Sequence, residues 1–374
     1  MLLRSLNITD FKNIEEARLQ FSDKLNGFVG DNAMGKSNIL DAIYFLSFAK
    51  SFSGVNDNML IRRGTQAAFV RGQYIKGGAD EEVAAALGAK RKSLKRSGKE
   101  YKRLSEHIGH FPAVLVAPAD LNLVTGTSEE RRKFLDMVIS QADSRYLDCL
   151  IKYNRALEQR NRMLRDNITD TNLFLAIDLT LDANARYIYN VRQQQIQRLA
   201  EIHARNYHLI AGDDEPVALA YETQLDRVDD RSLMTLLEQN RQRDFVLRHT
   251  SVGIHRDDID MQINGLPVRR VASQGQAKTF TVALRFAQYQ FLAEATRLKP
   301  LLLLDDIFDK LDANRVEQII NLVASDAFGQ IFITDTNRTH LDHILARANA
   351  PASLFGVRDG VTTPLSIPDQ TSTI

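Results

Sequence analysis

Apolar residues near the start of the chain recur with a period of two, then switch to a helical spacing. Leu2 to Ile8 alternates as a strand does. Phe28-Val29 ends a second short strand, and Ser37 to Phe48 then reads as a helix that buries Ile39, Leu40, Ile43, Tyr44 and Leu46. Phe69 to Tyr74 and Val83 to Leu87 predict strands. Lys90 to Arg103 predicts a hairpin turning at Ser97-Gly98, and Ala113 to Ala117 predicts a short apolar strand closed by Pro118.

The middle changes character. From Ser128 to about Arg205 the pattern is helical. Leu147, Leu150, Ile151, Leu157 and Leu164 share one face, and Leu173, Ile177, Leu181, Ile188, Val191, Leu199 and Ile202 repeat in the same way. Two long helices would make a compact antiparallel arm, too short for an extended coiled coil. The end returns to mixed elements. Ile259 to Ile263, Asn264-Gly265 and Leu266 to Val271 predict a hairpin with a type I′ turn. A helix is expected from Thr279 to Arg297, a buried strand from Leu301 to Leu304, a helix from Val316 to Ala324 and a strand from Gln330 to Thr334. The tail after Pro368 is polar and reads as frayed.

These elements describe an α/β layer split in sequence by a helical insertion. The expected division is an α/β lobe I of residues 1–118 and 298–374, and a mainly helical lobe II of residues 119–297. A chain of 374 residues has room for one large or two ordinary domains. The formal net charge is +1, so bulk charge gives no reason to expect a nucleic-acid partner, and any such contact needs a local basic patch. The single cysteine, Cys149, excludes an internal disulfide and suits a reducing cytoplasm. No signal-peptide core opens the chain and no apolar run approaches the roughly 20 residues that span a bilayer, so no membrane partner is expected and a cytoplasmic location is.

Three separated motifs carry the chemistry. Gly30-Asp31-Asn32-Ala33-Met34-Gly35-Lys36-Ser37, followed by Asn38, matches the glycine loop that cradles a nucleotide's phosphates. Successive backbone N–H groups and the following helix N-terminus favour anions there. Lys36 is expected at the β- and γ-phosphates of ATP and Ser37 on Mg2+. A chance match in a turn is the competing reading, but a strand precedes the loop and an amphipathic helix follows it.

Asp305 and Asp306 end four consecutive leucines. A carboxylate at the tip of a buried strand can hold magnesium, which assigns Asp305 to the metal and Asp306 to polarising the attacking water. Ser273-Gln274-Gly275-Gln276 precedes a helix expected to begin near Ala277. Alone it reads as a helix cap. With the other two motifs it looks like the signature of ABC ATPases, which faces the ATP of the opposite subunit. One loop and one signature per chain then imply an ATP-dependent homodimer. Asp312 reads either as a cap for the next helix or as a dimer-interface loop. Thr334 and Asp335 stand at the next strand end, placed to sense the γ-phosphate.

With these segments in view the chain resembles the RecF family, bacterial recombination-repair ATPases related to SMC heads. The resemblance rests on Asn7 to Asn13, Gly30 to Asn32 with Gly35 to Ala42, Arg131 to Asp136, Leu157 to Asn161, Gly253 to Asp258, Ser273 to Gln276 and Asp305-Asp306. It covers essentially the whole length. It implies an ABC/SMC-type P-loop ATPase head, a mixed sheet with flanking helices, plus a helical second lobe and no long coiled coil. It implies slow ATP hydrolysis, ATP-dependent dimers, binding to double-stranded DNA at gapped junctions, and a RecR-type mediator that helps load RecA. Some positions depart from the family pattern. Ala33 follows Asn32 where glycine is usual, Asp309-Lys310 replaces Ser-Glu, Asp335 replaces a hydroxyl residue, and Pro118-Ala119-Asp120 occupies the Gln-loop position. These bear on the hydrolysis rate more than on ATP binding.

For DNA, Lys90, Arg91, Lys92, Lys95, Arg96, Lys99, Lys102 and Arg103 crowd one segment, opposed in sequence by Glu100. A basic hairpin can straddle phosphates without reading bases, and a solvated strand pair is the plainer alternative. Arg155, Arg160, Arg162 and Arg165 on the helical arm form a second candidate. His255 has no metal-ligand partner at the right spacing, so it reads as ordering its own loop with Arg256, Asp257 and Asp258. An ABC transport-coupling ATPase and a nucleotide-gated scaffold with negligible turnover are the competing functions.

Overall fold

The computed structural model describes residues 1–88, 91–212, 215–228, 231–309, 311–348 and 350–367. The chain forms two compact units, Met1–Asp120 with Gln288–Ile374, and Leu121–Ala287.

The first unit contains two six-stranded sheets. Its antiparallel sheet runs in the order β2 (Ile14–Gln20), β1 (Leu2–Phe11), β4 (Ala67–Lys76), β5 (Ala79–Gly88), β6 (Lys92–Arg96) and β7 (Lys99–Glu100). The other sheet runs β15 (Val361–Leu365), β14 (Ala352–Arg358), β3 (Leu25–Val29), β13 (Ile331–Asp335), β12 (Leu301–Asp305) and β8 (Ala113–Val116). There, β15 is antiparallel to β14 and the other five strands are parallel.

Helix α1 (Lys36–Phe48) touches strands of both sheets. That position explains its composition. A helix covered on all sides has to be apolar all round, and the expected Ile39, Leu40, Ile43, Tyr44 and Leu46 are joined in the core by Phe45 and Phe48. Leu301 to Leu304 are all fully buried, as befits a parallel strand covered on both faces. Helices α9 (Ala313–Ala324) and α10 (Arg338–Arg347) complete this unit, and α8 (Gln274–Thr296) contains the point where the division falls.

The second unit is mainly helical, with α2 (Asn122–Thr125), α3 (Ser128–Ala142), α4 (Ser144–Arg165), α5 (Thr171–Ala211), α6 (Leu233–Leu247) and α7 (Val268–Val271). A three-stranded antiparallel sheet, β11 (Leu266–Pro267), β10 (Asp258–Ile263) and β9 (Val217–Glu222), completes it. The long helices α4 and α5 run antiparallel. Arg160 meets Asp178 near one end of the pair and Tyr146 meets Arg192 further along.

Several expectations shift here. The buried stripe of α4 is Tyr146, Tyr153, Ala156, Arg160, Met163 and Leu164, whereas Ile151 is exposed. On α5, Phe174 is buried in place of Leu173, which is exposed. The hairpin turn at Asn264-Gly265 has positive φ at both residues, 53° and 73°, the type I′ geometry. Its second arm stops at Pro267, and Val268–Val271 is a single helical turn instead of strand. Sequence reading also passed over β14, β15, α6 and α10. The tail after Pro368 lies outside the described residues. Among the described residues no helix is long and apolar enough to cross a membrane.

Candidate nucleotide-binding site

Strand β3 delivers the glycine loop to the start of α1. Gly30 has no room for a side chain, because a Cβ there would lie 2.2 Å from the Val357 carbonyl oxygen of β14. Gly35 takes φ 109° and Ala33 takes φ 64°, so the alanine occupies the left-handed region that favours glycine. An L-residue there costs about 1–2 kcal/mol. Lys36 is buried, and its Nζ donates to the carbonyls of Gly30 (2.8 Å) and Asp31 (3.0 Å). Neutral carbonyls leave its charge available to an anion.

The ends of β12 and β13 meet the loop. Ser37 Oγ donates to Asp305 Oδ1 at 2.8 Å, across 268 positions of sequence. Thr334 Oγ1 donates to the same oxygen at 2.7 Å, and the Asp306 N–H donates to Thr334 Oγ1 at 3.2 Å. Burial pushes the Asp305 carboxyl up from its ordinary range, while the two hydroxyls and nearby Lys36 pull it back. A hydroxyl and a carboxylate oxygen held together beside a phosphate loop suit a hard cation whose other ligands are phosphate and water. Ser37 and Asp305 therefore fit magnesium.

Asp306 has φ 44° and lines a cavity of about 470 Å3 with Asn32, Pro118, Phe308, Asp309, Asp335, Thr336, Asn337 and His340. Asp335 accepts from the Asn337 N–H at 2.7 Å and lies 2.8 Å from His340 Nδ1. Thr334 is thus committed to Asp305, and Asp335 to the start of α10. His340 drew no notice in the sequence; its five-residue spacing from Asp335 matches no motif. Asp120 Oδ2 accepts from the Ala117 N–H at 2.9 Å, closing a turn. Asp312 caps α9 by accepting from the Arg315 N–H at 2.9 Å.

In the second unit, α8 begins at Gln274, ahead of the expected Ala277. Ser273 Oγ accepts from the Gln276 N–H (3.2 Å), and Gln276 Oε1 accepts from the Ser273 N–H (2.9 Å). That reciprocal pair is a capping box, and the S-x-x-Q spacing was the signal for it.

The segments around Arg131, Leu157 and His255 converge on one polar core in this unit. Arg131 donates twice to Asp258, at 2.6 and 2.8 Å. Arg192 holds Asp136 (2.8 Å), Asp257 (3.1 Å) and the Ile254 carbonyl (2.8 Å). Arg160 is fully buried against Asp178 (2.7 Å), Asp244 (2.6 Å) and Thr250 (2.9 Å). Asn161 Oδ1 accepts from both the Thr250 N–H and its hydroxyl. His255 is half-buried between the Tyr153 hydroxyl (2.8 Å) and the Thr250 carbonyl (3.2 Å), and desolvation lowers its pKa to about 4. A neutral, doubly bonded histidine orders its loop.

The two basic clusters need correction. Arg160 is unavailable to DNA; Arg155, Arg162 and Arg165 are exposed, with Arg162 lying 3.7 Å from Asp166. In the hairpin more than Glu100 opposes the charge. Arg96 pairs with Glu81 (2.6 Å), Arg91 with Glu100 (2.7 Å), Lys92 with Asp57 (2.8 Å) and Arg103 with Glu106 (3.1 Å). Of these carboxylates, Glu81 and Asp57 come from another strand and a loop, where sequence proximity does not reveal them. Among the described residues Lys95, Lys99 and Lys102 have no ion pair; Lys90 lies outside them, as does Lys310.

Residues 2–363 match the family model described as RecF/RecN/SMC N terminal domain. The "DNA replication and repair protein RecF" of Parabacteroides distasonis is 45% identical over 98% of this chain and 100% of its own length. The protein of the same name from Bacteroides thetaiotaomicron is 44% identical over 96% of this chain and 98% of its own. The chain belongs to the RecF family. Among solved structures, "the recombination mediator protein RecF-ATP in RecFOR pathway" superposes with TM-score 0.86 at 29% identity, covering 97% of this chain and 99% of that one. An SMC head bound to the C-winged helix domain of ScpA superposes with TM-score 0.61 at 16% identity over 100% of both chains, a likeness of fold alone. The architecture is the ABC/SMC-type ATPase head, with a helical part and, among the described residues, no long coiled coil.

Proposed function

We propose that this RecF-family chain is a weak DNA-dependent ATPase of recombinational gap repair, acting in the cytoplasm. ATP binding closes a homodimer on duplex DNA near single-strand gaps, and slow hydrolysis releases it. The closed dimer helps a RecR-type mediator load RecA on single-stranded DNA. The observation that carries this reading is the meeting of Ser37, Asp305 and Thr334 beside Lys36, at the mouth of a loop whose glycines admit no side chain. The names and titles of the relatives, with RecF structures that contain ATP, support it.

In this reading Lys36 leaves its two carbonyls for the β- and γ-phosphate oxygens. Ser37 and Asp305 would hold magnesium, which would supply positive charge beside those oxygens. Asp306, one residue on, orients the attacking water. Ser273 to Gln276 supply a helix N-terminus for the ATP of a second copy, and Asp312 sits at that interface while capping α9. Since each chain carries one loop and one signature, two copies complete two sites. Lys95, Lys99 and Lys102 are the proposed phosphate contacts to DNA, with Lys90 beside them in sequence.

Light scattering with and without ATP-Mg, and with and without a short duplex, tests this. The expected outcome is a monomer that becomes a dimer with ATP, more so with DNA, and fails to do so in Lys36→Ala and Ser273→Arg. A chain that binds ATP and stays monomeric refutes the shared site. Asp306→Asn separates a clamp from a scaffold: a clamp that hydrolyses ATP to let go accumulates as a stable ATP dimer, whereas a scaffold behaves unchanged.

A further inference from the structure

The glycine loop is gripped from outside by two elements that no nucleotide motif includes. The Met34 carbonyl accepts from the Gly360 N–H (2.8 Å) and from Asn13 Nδ2 (3.3 Å). Asn13 Oδ1 in turn accepts from Asn38 Nδ2 at 2.7 Å, in the first turn of α1. Asn13 lies in the turn between β1 and β2, and Gly360 in the turn between β14 and β15, so one grip comes from each sheet of the first unit.

The fit is close. A Cβ on Gly35 would lie 2.8 Å from Asn13 Oδ1, and one on Gly360 would lie 2.4 Å from the Asn13 carbonyl oxygen. In a trans peptide the carbonyl and the following N–H point in opposite directions. Holding Met34 O toward Asn13 and Gly360 therefore turns the Gly35 N–H to the opposite face of the loop, the face a phosphate chain takes. The same grip acts one peptide beyond Ala33, whose φ of 64° is strained for an alanine. Such strain persists only where surrounding contacts fix the backbone.

We propose that Asn13 and the Asp359-Gly360 turn brace the phosphate loop in its binding shape, and that this brace offsets the strain of Ala33. Asn13 is a positioning residue for the nucleotide; it does not touch the reacting atoms. The proposal rests on reading the loop as the ATP site.

The test measures the Kd of a fluorescent ATP analogue, and the nucleotide-free melting temperature, for full-length wild type, Asn13→Ala, Asn13→Asp, Ala33→Gly and the Asn13→Ala/Ala33→Gly pair, with Lys36→Ala as the non-binding control. Asn13 is exposed, so its variants are expected to fold. The brace predicts about tenfold weaker binding in Asn13→Ala. It predicts weaker binding again in Asn13→Asp, which sets a carboxylate against the Met34 carbonyl. Melting temperature stays unchanged, and Ala33→Gly recovers most of the affinity lost in Asn13→Ala. Unchanged affinity in Asn13→Ala overturns the brace, as does a loss that tracks a drop in melting temperature. Loss without recovery by Ala33→Gly overturns the compensation. Wild type that binds no better than Lys36→Ala overturns the nucleotide reading, and the brace falls with it.

Discussion

Replacing Arg160 by alanine separates two roles for the arginines of the helical arm. Arg160 has no accessible surface, and neither do its partners Asp178 and Asp244. Truncation leaves Asp178 with Arg241 at 3.5 Å and Asp244 with Ser251 alone, and removes the donor that faces the Thr250 hydroxyl. Breaking a buried pair from one side costs about 3–5 kcal/mol. A unit of the size of residues 121–287 loses about 2–4 °C of melting temperature per kcal/mol, so the expected fall is roughly 6–20 °C. The assay is thermal unfolding followed by circular dichroism, beside duplex binding measured over a range of salt. A DNA contact behaves differently, because each lost phosphate contact lowers the slope of log K against log salt by about 0.9. An Arg160→Ala protein with wild-type melting temperature and a shallower salt slope would refute the structural role.

Other outcomes follow from the same geometry. Asp305→Asn keeps an acceptor for Thr334 but loses the charge, so ATP binding should lose its dependence on magnesium, measured by magnesium titration at fixed ATP. Charge reversal at Lys95, Lys99 and Lys102 together should weaken duplex binding and lower the salt slope by about 2–3, with no change in ATP affinity. His107, His203 and His255 are each lowered to about 4 by burial. The unfolded chain then binds more protons than the folded one between about pH 4 and 6.5, so their stabilisation is complete above pH 6.5 and is lost as pH falls toward 4. Asp257, raised to about 6 by burial, opposes them between about pH 4 and 6. The three histidines each lose about 2 kcal/mol by pH 5, so melting temperature should be lower at pH 5 than at pH 7.5, and His203→Gln should flatten the difference.

What the sequence revealed followed from how local the signal was. The glycine loop, α1 and the four leucines of β12 declare themselves because their residues are contiguous and their environment is uniform. The buried face of α4 was read one-sidedly. Counting leucines put Ile151 inside, while the true stripe is anchored by tyrosines and by Arg160, whose partners come from α5 and α6. A charged residue enters a core only when distant chain segments bring its counter-ions, and no window of sequence contains both. The basic hairpin is partly neutralised for the matching reason, since Asp57 and Glu81 reach Lys92 and Arg96 from other elements. The Asp359-Gly360 turn is a hairpin signal in the sequence, but a local signal does not say which loop the turn supports. Asn13 stood in a segment already singled out, but its grip on Met34 depends on a register between sheets.

The first unit is closed by its last residues. Strand β3, which carries the glycine loop, lies between β13 and β14, both made about 300 residues later in the chain. While the chain is being synthesised, β3 has no neighbour on either side until β13 is made, and Ser37 waits for Asp305. Residues 121–287 are by then already available to fold. Nucleotide binding therefore reports that synthesis has passed β13. A product that ends before Ala352 leaves β3 with one open edge of buried apolar strand, a template for pairing with other chains, and is marked for aggregation or proteolysis.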